Sequence, residues 1–192
     1  SGLDALVGTG FADELVAFSV REMIEAGGDD RITGNAASND ILDGQRGNDT
    51  YANNGGTENV NLEAGTADGN GGDDNLGSGG AADTLLGGGG NDTLDPGLAD
   101  DSVLDDSGED YVIARGGSDS VFGGVDDDQI NGMAGTDDLY GQDGNDVING
   151  GGQNDTIQGG NDDDTVNGGN GFDDVFGDAG NDRGLGKTDF IL

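Results

Sequence analysis

The sequence predicts an all-β fold, a parallel β-solenoid that runs through the whole chain. Three observations point to it: a nine-residue repeat, an aliphatic residue at a fixed place in that repeat, and abundant glycine. Of the 192 residues, 43 are Gly, 35 Asp and 18 Asn. Because a helix needs a sustained 3.6-residue periodicity and few glycines, short parallel strands joined by tight turns fit the sequence better.

The repeat is clearest over residues 69–185, where an aspartate recurs at every ninth position. The residue two positions later is Leu, Val or Ile in every repeat except the last, which has Gly184. The consensus is Gly-Gly-x-Gly-x-Asp-x-aliphatic-x, clearest at 87–95, 141–149 and 168–176. The glycine two positions before the aspartate is replaced by Ala81, Ala99, Asp126, Gln153 and Asp162. The recurring aspartates are Asp74, Asp83, Asp92, Asp101, Asp110, Asp119, Asp128, Asp137, Asp146, Asp155, Asp164, Asp173 and Asp182.

Each recurring residue type in the repeat has a physical role. Glycine permits tight turns with positive φ and lets backbone carbonyls converge on a cation. Aspartate supplies a hard oxygen ligand on a short side chain. Within a strand, alternation directs the aliphatic residue to one side and its neighbours to the other. The aliphatic residues are therefore predicted to form a thin internal ladder.

The period continues through residues 1–61 in a second phase, which predicts divergent coils there. Acidic residues stand at positions 4, 13, 22, 40, 49 and 58, and Leu6, Leu15, Ile24, Leu42, Tyr51 and Val60 follow two positions later. Asp49 is a further candidate ligand. Arg31 stands where an acidic residue is expected, which predicts an irregularity near 30–36. The phase then slips by two residues before Asp74, and this predicts an irregular turn over 62–68.

The composition excludes several classes of function. Without His or Cys the chain has no His-based triad, no thiol nucleophile and no conventional zinc site. Six basic residues against 41 acidic ones give a charge of −35, which repels nucleic acid and anionic lipid. No apolar run is long enough for a membrane span. Carboxylate pairs such as Asp173-Asp174 are expected to hold metal, so we assign no catalytic residue and expect no enzyme.

The repeat resembles the calcium-binding nonapeptide of the RTX (repeats-in-toxin) family, specifically over 69–185 and more weakly over 1–61. The resemblance implies a right-handed parallel β-roll in which two repeats make a coil of about 18 residues. Composition is also typical of a disordered acidic linker, but the unbroken aspartate phase argues against that alternative. Without calcium, disorder becomes the expected state, because the binding energy is then folding energy.

In that family each ion is shared by two stacked turns, and each turn gives an Asp carboxylate and two backbone carbonyls. Stacked carboxylates about 4.8 Å apart repel by about 3–4 kcal/mol at an effective dielectric near 20, and a divalent cation reverses this. The resemblance thus implies roughly 11 calcium ions over 69–185, and fewer near Arg31, a fixed cation. Carbonyl donors carried over from the family include Gly88, Gly90, Gly141, Gly144, Gly168 and Gly171, together with Asp105 and Ser107.

Calcium-dependent folding predicts a protein that is secreted or on a bacterial cell surface. Extracellular calcium modules bind with Kd of about 10⁻⁴–10⁻³ M, so the chain would stay unfolded in the cytosol and fold after export. Zero cysteines suit such a chain, since ions replace disulfides. Residues 186–192 form a C-terminal cap or a secretion-signal-like end: Asp189-Phe190-Ile191-Leu192 resembles the end of serralysin-type proteins exported by type I secretion.

The favoured function is a calcium-folded structural or surface protein, such as an adhesin, surface-layer or filament-type subunit. A non-catalytic module of a larger secreted protease, lipase or mannuronan epimerase is the alternative, and an ice-binding roll is a third hypothesis that the mixed outward residues disfavour. The last repeat position on alternate strands gives an apolar stripe of Leu86, Leu104, Phe122, Tyr140 and Phe176, with Gln158 before its last member. A homo-oligomer or filament could form through this stripe or through the open coil ends.

Overall fold

The computed structural model describes residues 6–7, 14–16, 22–24, 28–33, 41–44, 47–52, 59–185 and 189–191. These residues wind into a solenoid of short parallel strands, and none of them is helical. The described residues accordingly include no helix long and apolar enough to cross a bilayer. The predicted fold class, an all-β parallel solenoid, is confirmed.

Strands before the regular repeats are short. They are β1 (Leu6–Val7), β2 (Glu14–Val16), β3 (Glu22–Ile24), β4 (Arg31–Thr33), β5 (Ile41–Asp43), β6 (Asp49–Ala52), β7 (Asn59–Asn61) and β8 (Gly65–Asp68). The middle of the chain contains β9 (Asn75–Gly77), β10 (Thr84–Gly89), β11 (Thr93–Asp95), β12 (Ser102–Ser107), β13 (Tyr111–Ile113), β14 (Gly116–Gly117) and β15 (Ser120–Val125). The last strands are β16 (Gln129–Gly135), β17 (Asp138–Asp143), β18 (Val147–Gly152), β19 (Thr156–Asn161), β20 (Thr165–Asn170), β21 (Asp174–Ala179), β22 (Arg183–Leu185) and β23 (Asp189–Ile191).

Successive strands alternate between two parallel sheets, so two strands complete one coil. One sheet runs in the order β1-β3-β5-β7-β9-β11-β13-β16-β18-β20-β22, with β14 also paired to β16. The other runs in the order β2-β4-β6-β8-β10-β12-β15-β17-β19-β21-β23. In the regular block Leu85 pairs with Val103, and Ile130 pairs with Ile148. The two members of each pair are separated by two repeats, which confirms the expected coil length.

The core is the predicted ladder of aliphatic side chains. Leu85, Leu94 and Leu139 are among its members, and each is completely buried. The residues on either side of each ladder member are at least partly exposed, as expected for a strand that buries only its central side chain. Most strands of the regular block are longer than three residues, because inter-coil pairing extends past the ladder into the turn, as between Gly88 and Asp106.

The predicted register of the first strands is wrong at Ile24. Leu6 pairs with Met23, and Met23 pairs with Leu42, so Met23 takes the register position that the nine-residue spacing gives to Ile24. The first of these coils is therefore one residue shorter than a regular coil, and the second is one residue longer. The missing or inserted residue falls between strands, where parallel pairing does not fix the chain length.

Arg31 does not occupy the acidic position, so the expectation that it places a fixed cation at a calcium site is wrong. Asp30 takes that position: it is 2% exposed, and its N–H donates to Asp49 Oδ1 at 2.9 Å. Arg31 begins β4 with an exposed side chain, and Ile32 is buried in the core. The irregularity is a shift of one residue. Of the other acidic positions predicted in this block, Asp4, Asp13, Asp40 and Glu58 lie outside the described residues.

Segment 62–68 is more regular than predicted. The phase slip is present, because Val60 pairs with Leu76, which makes this coil two residues shorter than a regular one. However, Gly65–Asp68 forms the regular strand β8, and Ala67 fills the core position. The turn before β8 is short and buries Leu62. At the other end, β23 pairs with β21, so residues 189–191 extend the second sheet; Leu192 lies outside the described residues.

Candidate metal centre

The recurring aspartates lie just before the ladder residues, at the junction between a turn and a strand. Each carboxylate reaches back to the preceding coil, where its Oδ1 accepts the backbone N–H of the aspartate one coil earlier. Asp128 N–H donates to Asp146 Oδ1, and Asp146 N–H donates to Asp164 Oδ1, both at 2.9 Å. From Asp74 to Asp182 these bonds measure 2.7–3.1 Å. The aspartates thus form two continuous ladders.

The second oxygen of most of these carboxylates is buried and has no hydrogen-bond donor among the described residues. Burying an anionic oxygen without a donor or a cation is costly, so these atoms call for a positively charged ligand. They are Oδ2 of Asp49, Asp92, Asp101, Asp110, Asp119, Asp128, Asp137, Asp146, Asp155, Asp164 and Asp173.

The first glycine of the repeat leaves the space into which these oxygens point. A Cβ atom on Gly123 would lie 2.5 Å from Asp128 Oδ2 and 2.9 Å from the carbonyl oxygen of Gly141 in the next coil. At Gly132 the corresponding atoms are Asp137 Oδ2, at 2.6 Å, and the carbonyl of Gly150, at 2.7 Å. Each space therefore gathers one carboxylate oxygen and one carbonyl oxygen. We call it a cradle.

The pKa values show how unfavourable these charges are by themselves. Burial, together with the charges of neighbouring aspartates, raises the pKa of Asp92, Asp119 and Asp128 from an ordinary value of 3.8 to about 7. Hydrogen bonds from the backbone oppose the shift without cancelling it. In contrast, the pKa of the exposed Asp127 is lowered, because Asn145 donates to it from its backbone and its side chain.

The predicted carbonyl donors divide into two groups. Gly141 and Gly168 stand at the first position of their repeats, and their carbonyls lie in the cradles in front of Gly123 and Gly150. The turn glycines Gly88, Gly90, Gly144 and Gly171 pack against backbone carbonyls of the preceding coil, and a side chain at any of them would collide. Of the other two predicted donors, Ser107 donates its hydroxyl to Gly88 O at 3.3 Å.

Three of the five residues that replace this glycine, Asp126, Gln153 and Asp162, keep the left-handed turn. Asp126, Gln153 and Asp162 have φ of 82°, 86° and 78°, a left-handed conformation that most side chains disfavour. The aspartate two positions after each keeps its ladder hydrogen bond. The neighbouring sites therefore keep their carboxylate geometry despite the local strain.

On the edge that contains Asp83, Asp101 and Asp119, side chains replace the first-position glycine of the repeat. At the first repeat position Ser78 donates its hydroxyl to Asp83 Oδ2 at 2.5 Å, so this carboxylate already has a donor. Pro96 and Ala114, both buried, occupy the equivalent places before Asp101 and Asp119. Cradles with glycine at the first position thus prevail after residue 120 and are interrupted on this edge before it.

Asp49, the ligand predicted in the N-terminal block, has a carboxylate like the others but a different cradle. It is 1% exposed, and burial raises its pKa. In front of Gly44, however, Asp49 Oδ2 is joined by Cδ2 of Leu62 rather than by a carbonyl. The next coil has Gly65 where the following aspartate would stand, so this site lacks a second carboxylate on that side.

The repeat position of Asp105 predicts only a carbonyl donor, whereas the structure buries its side chain in the site. One oxygen from each of Asp92, Asp105 and Asp110 lies within 4.8 Å of the others. The sequence signal was present, since Asp105 stands five residues before Asp110, where most repeats of this stack have glycine.

Stacked turns that aim buried carboxylates and backbone carbonyls at shared cradles define a cation-binding parallel β-solenoid. The oxygen-only donor set fits calcium, which prefers carboxylate and carbonyl ligands. A family model, the RTX calcium-binding nonapeptide repeat (4 copies), matches residues 26–51, 68–103, 104–139, 123–157, 140–175 and 149–184, more than half of the chain. The chain therefore belongs to this family and is a calcium-binding repeat protein. Neither the curated proteins nor the solved structures give a match.

Proposed function

We propose that the chain is a secreted or cell-surface structural protein whose solenoid folds when it meets extracellular calcium, without catalytic activity of its own. The observation that supports it most strongly is the carboxylate ladder. It runs from Asp74 to Asp182, and the Oδ2 atoms of most of its carboxylates are buried without a hydrogen-bond donor among the described residues. Calcium binding and folding are then one event, because the cradles exist only when the coils are stacked.

In this proposal, the calcium concentration of a compartment determines whether the chain folds there. Extracellular calcium modules bind with Kd of about 10⁻⁴–10⁻³ M, far above cytosolic free calcium. A chain that depends on such sites remains unfolded before export, which suits type I secretion. After export the ions offset the large negative charge and hold the coils together.

A structural role is favoured because the repeats take up the described chain from end to end and carry a half-exposed apolar stripe. In the stripe Phe122 and Tyr140 stack with ring centroids 4.7 Å apart. Leu104, in register beside Phe122, is 39% exposed. A row of apolar side chains on a rigid sheet suits lateral association into a filament or surface layer.

The test combines localisation with assembly. Antibodies to the chain should detect it in the medium or on the surface of its native cells. Electron microscopy of the purified chain should show ordered assemblies with calcium that dissolve in chelator. Cytoplasmic retention of the protein would contradict the proposal. Recovery of these repeats within a longer chain that carries a catalytic domain would instead support the module of a secreted enzyme.

A further inference from the structure

Asp105 is an additional carboxylate within the ladder of one turn stack. It follows Leu104 in β12, at the repeat position that glycine holds in the coils before and after, Gly87 and Gly123. The side chain is completely buried, although Leu104 and Asp106 on either side are exposed. Strand pairing continues undisturbed around it, so the fold accommodates the carboxylate inside the coil.

Neither oxygen of Asp105 has a hydrogen-bond donor among the described residues while the aspartates are ionised. The Oδ2 atoms of Asp92 and Asp110 are likewise without a donor, and the three carboxylates converge within 4.8 Å. No described basic side chain neutralises them; Arg115, the nearest arginine in sequence, forms an ion pair with Asp95. Three buried anions that face one space repel each other strongly unless a cation or a shared proton lies between them.

The neighbouring cradles show what Asp105 replaces. In front of Gly123 the space holds Asp128 Oδ2 and the neutral carbonyl of Gly141. In front of Gly87 it holds Asp92 Oδ2, and Asp105 Oδ1 stands in place of the carbonyl. A carboxylate oxygen thus comes closer to the cradle in front of Gly87 than any carbonyl oxygen does.

We propose that Asp105 turns the cradle between Asp92 and Asp110 into a three-carboxylate site that binds its cation more tightly than the neighbouring cradles, each of which holds one carboxylate oxygen and one carbonyl oxygen. The inference rests on the proposed calcium function and assigns a ligand that the repeat pattern does not supply. Ligand charge count is one of the main determinants of calcium affinity. The extra charge also favours trivalent ions over divalent ones, so a lanthanide is the sharpest probe.

The test uses the full chain and terbium(III) chloride, with excitation of tyrosine. Tyr111 directly follows Asp110 and can sensitise an ion bound there. The wild-type chain should show one binding step about 10- to 100-fold tighter than the rest. Asp105→Gly, which restores the repeat, and Asp105→Asn, which keeps the shape, should both lose that step.

Asp106→Asn is the matched control. Asp106 is the exposed neighbour with φ of 84°, a conformation that Asn tolerates, so this variant should keep the tight step. Calorimetric titration with calcium chloride gives a second readout, in which the tightest class of sites should lose one ion in both Asp105 variants.

If the terbium and calcium titrations of Asp105→Gly superimposed on those of the wild-type chain, this inference would be overturned. The proposed calcium function would remain intact. If the wild-type chain bound no calcium at all, the proposed function itself would fail. Asp105→Gly matches the pattern of the neighbouring coils, so misfolding is not expected, and circular dichroism in saturating calcium checks that point.

Discussion

The regular coils after residue 69 and the divergent coils before it share one core but not one carboxylate ladder. In the regular coils each ladder aspartate is followed by the next after two repeats, so the ladder hydrogen bonds recur without a break. The cradles are interrupted only where Ser78, Pro96, Asp105 and Ala114 replace the first-position glycine. Before them, coils that are one or two residues too short or one too long still keep an apolar residue in register, as Ile32 pairs with Tyr51. The carboxylate ladder, however, is interrupted at Gly65, whose N–H donates to Asp83 Oδ1 at 2.5 Å.

The comparison separates two requirements of the fold. Core pairing needs only one inward apolar residue per strand, and the turns can gain or lose residues. The cation ladder needs an aspartate and a first-position glycine at fixed places in the turn. We therefore expect the N-terminal coils to depend mainly on their core and the regular coils to depend on ions.

Removing one carboxylate should separate the regions most clearly. Asp146→Ala removes the carboxylate oxygen from the cradle in front of Gly141 and the hydrogen bond that Asp128 N–H donates to Asp146 Oδ1. We therefore expect the calcium concentration at the folding midpoint to rise about tenfold. Asp49→Ala, whose neighbouring coil has Gly65, should raise it much less. Circular dichroism during a calcium titration measures the folding midpoints of both variants. Asp127→Ala, at an exposed aspartate, is the control. Equal shifts for Asp146→Ala and Asp49→Ala would remove the distinction between the regions.

Filling a cradle should have the next largest effect. A Cβ on Gly141 would collide with Asp146 Oδ2, so we expect Gly141→Ala to destabilise the calcium-loaded chain by about 2 kcal/mol. At Gly152 the nearest backbone oxygen is 3.7 Å from such a Cβ, and Gly152→Ala should be close to neutral. Denaturant unfolding in saturating calcium compares the two; a neutral Gly141→Ala would show that the cradle does not need to be open.

The pH dependence should change sign with calcium. Burial raises the pKa of Asp92, Asp119 and Asp128 from 3.8 to about 7, so the cation-free folded state binds more protons than the unfolded state between these values. Stability without calcium therefore falls as pH rises through this window. In chelator we expect more β signal at pH 5 than at pH 8, and with limiting calcium the reverse, since protons compete with the ion. A pH-independent signal in chelator would argue against buried, unneutralised carboxylates.

The smallest effect is expected at the surface. Asp95→Asn removes the exposed ion pair with Arg115, a type of interaction that contributes little. Its thermal unfolding midpoint should match that of the wild-type chain at any calcium concentration. If Asp95→Asn lost as much stability as Asp146→Ala, charge in general, rather than position in a cradle, would determine stability.

Much of this architecture could be predicted from the sequence, because one period determines strand, turn and ligand together. The ladder from Leu76 to Val175 and the two-repeat coil are confirmed by the observed burial and pairing. The sequence did not locate the one-residue shift that gives Met23 the predicted place of Ile24, since turn length is not fixed by the core. The carboxylate of Asp105 was missed because the repeat assigns that position a backbone carbonyl.

Calcium removal tests the central claim most directly. Far-ultraviolet circular dichroism and size-exclusion chromatography should be recorded on the full chain in saturating calcium and after chelation, at pH 7.5. If ions between the carboxylates hold the coils together, chelation should abolish the β signal and greatly increase the hydrodynamic radius, and added calcium should restore both. A chelated chain with the same compact β structure as the calcium-loaded one would contradict the account.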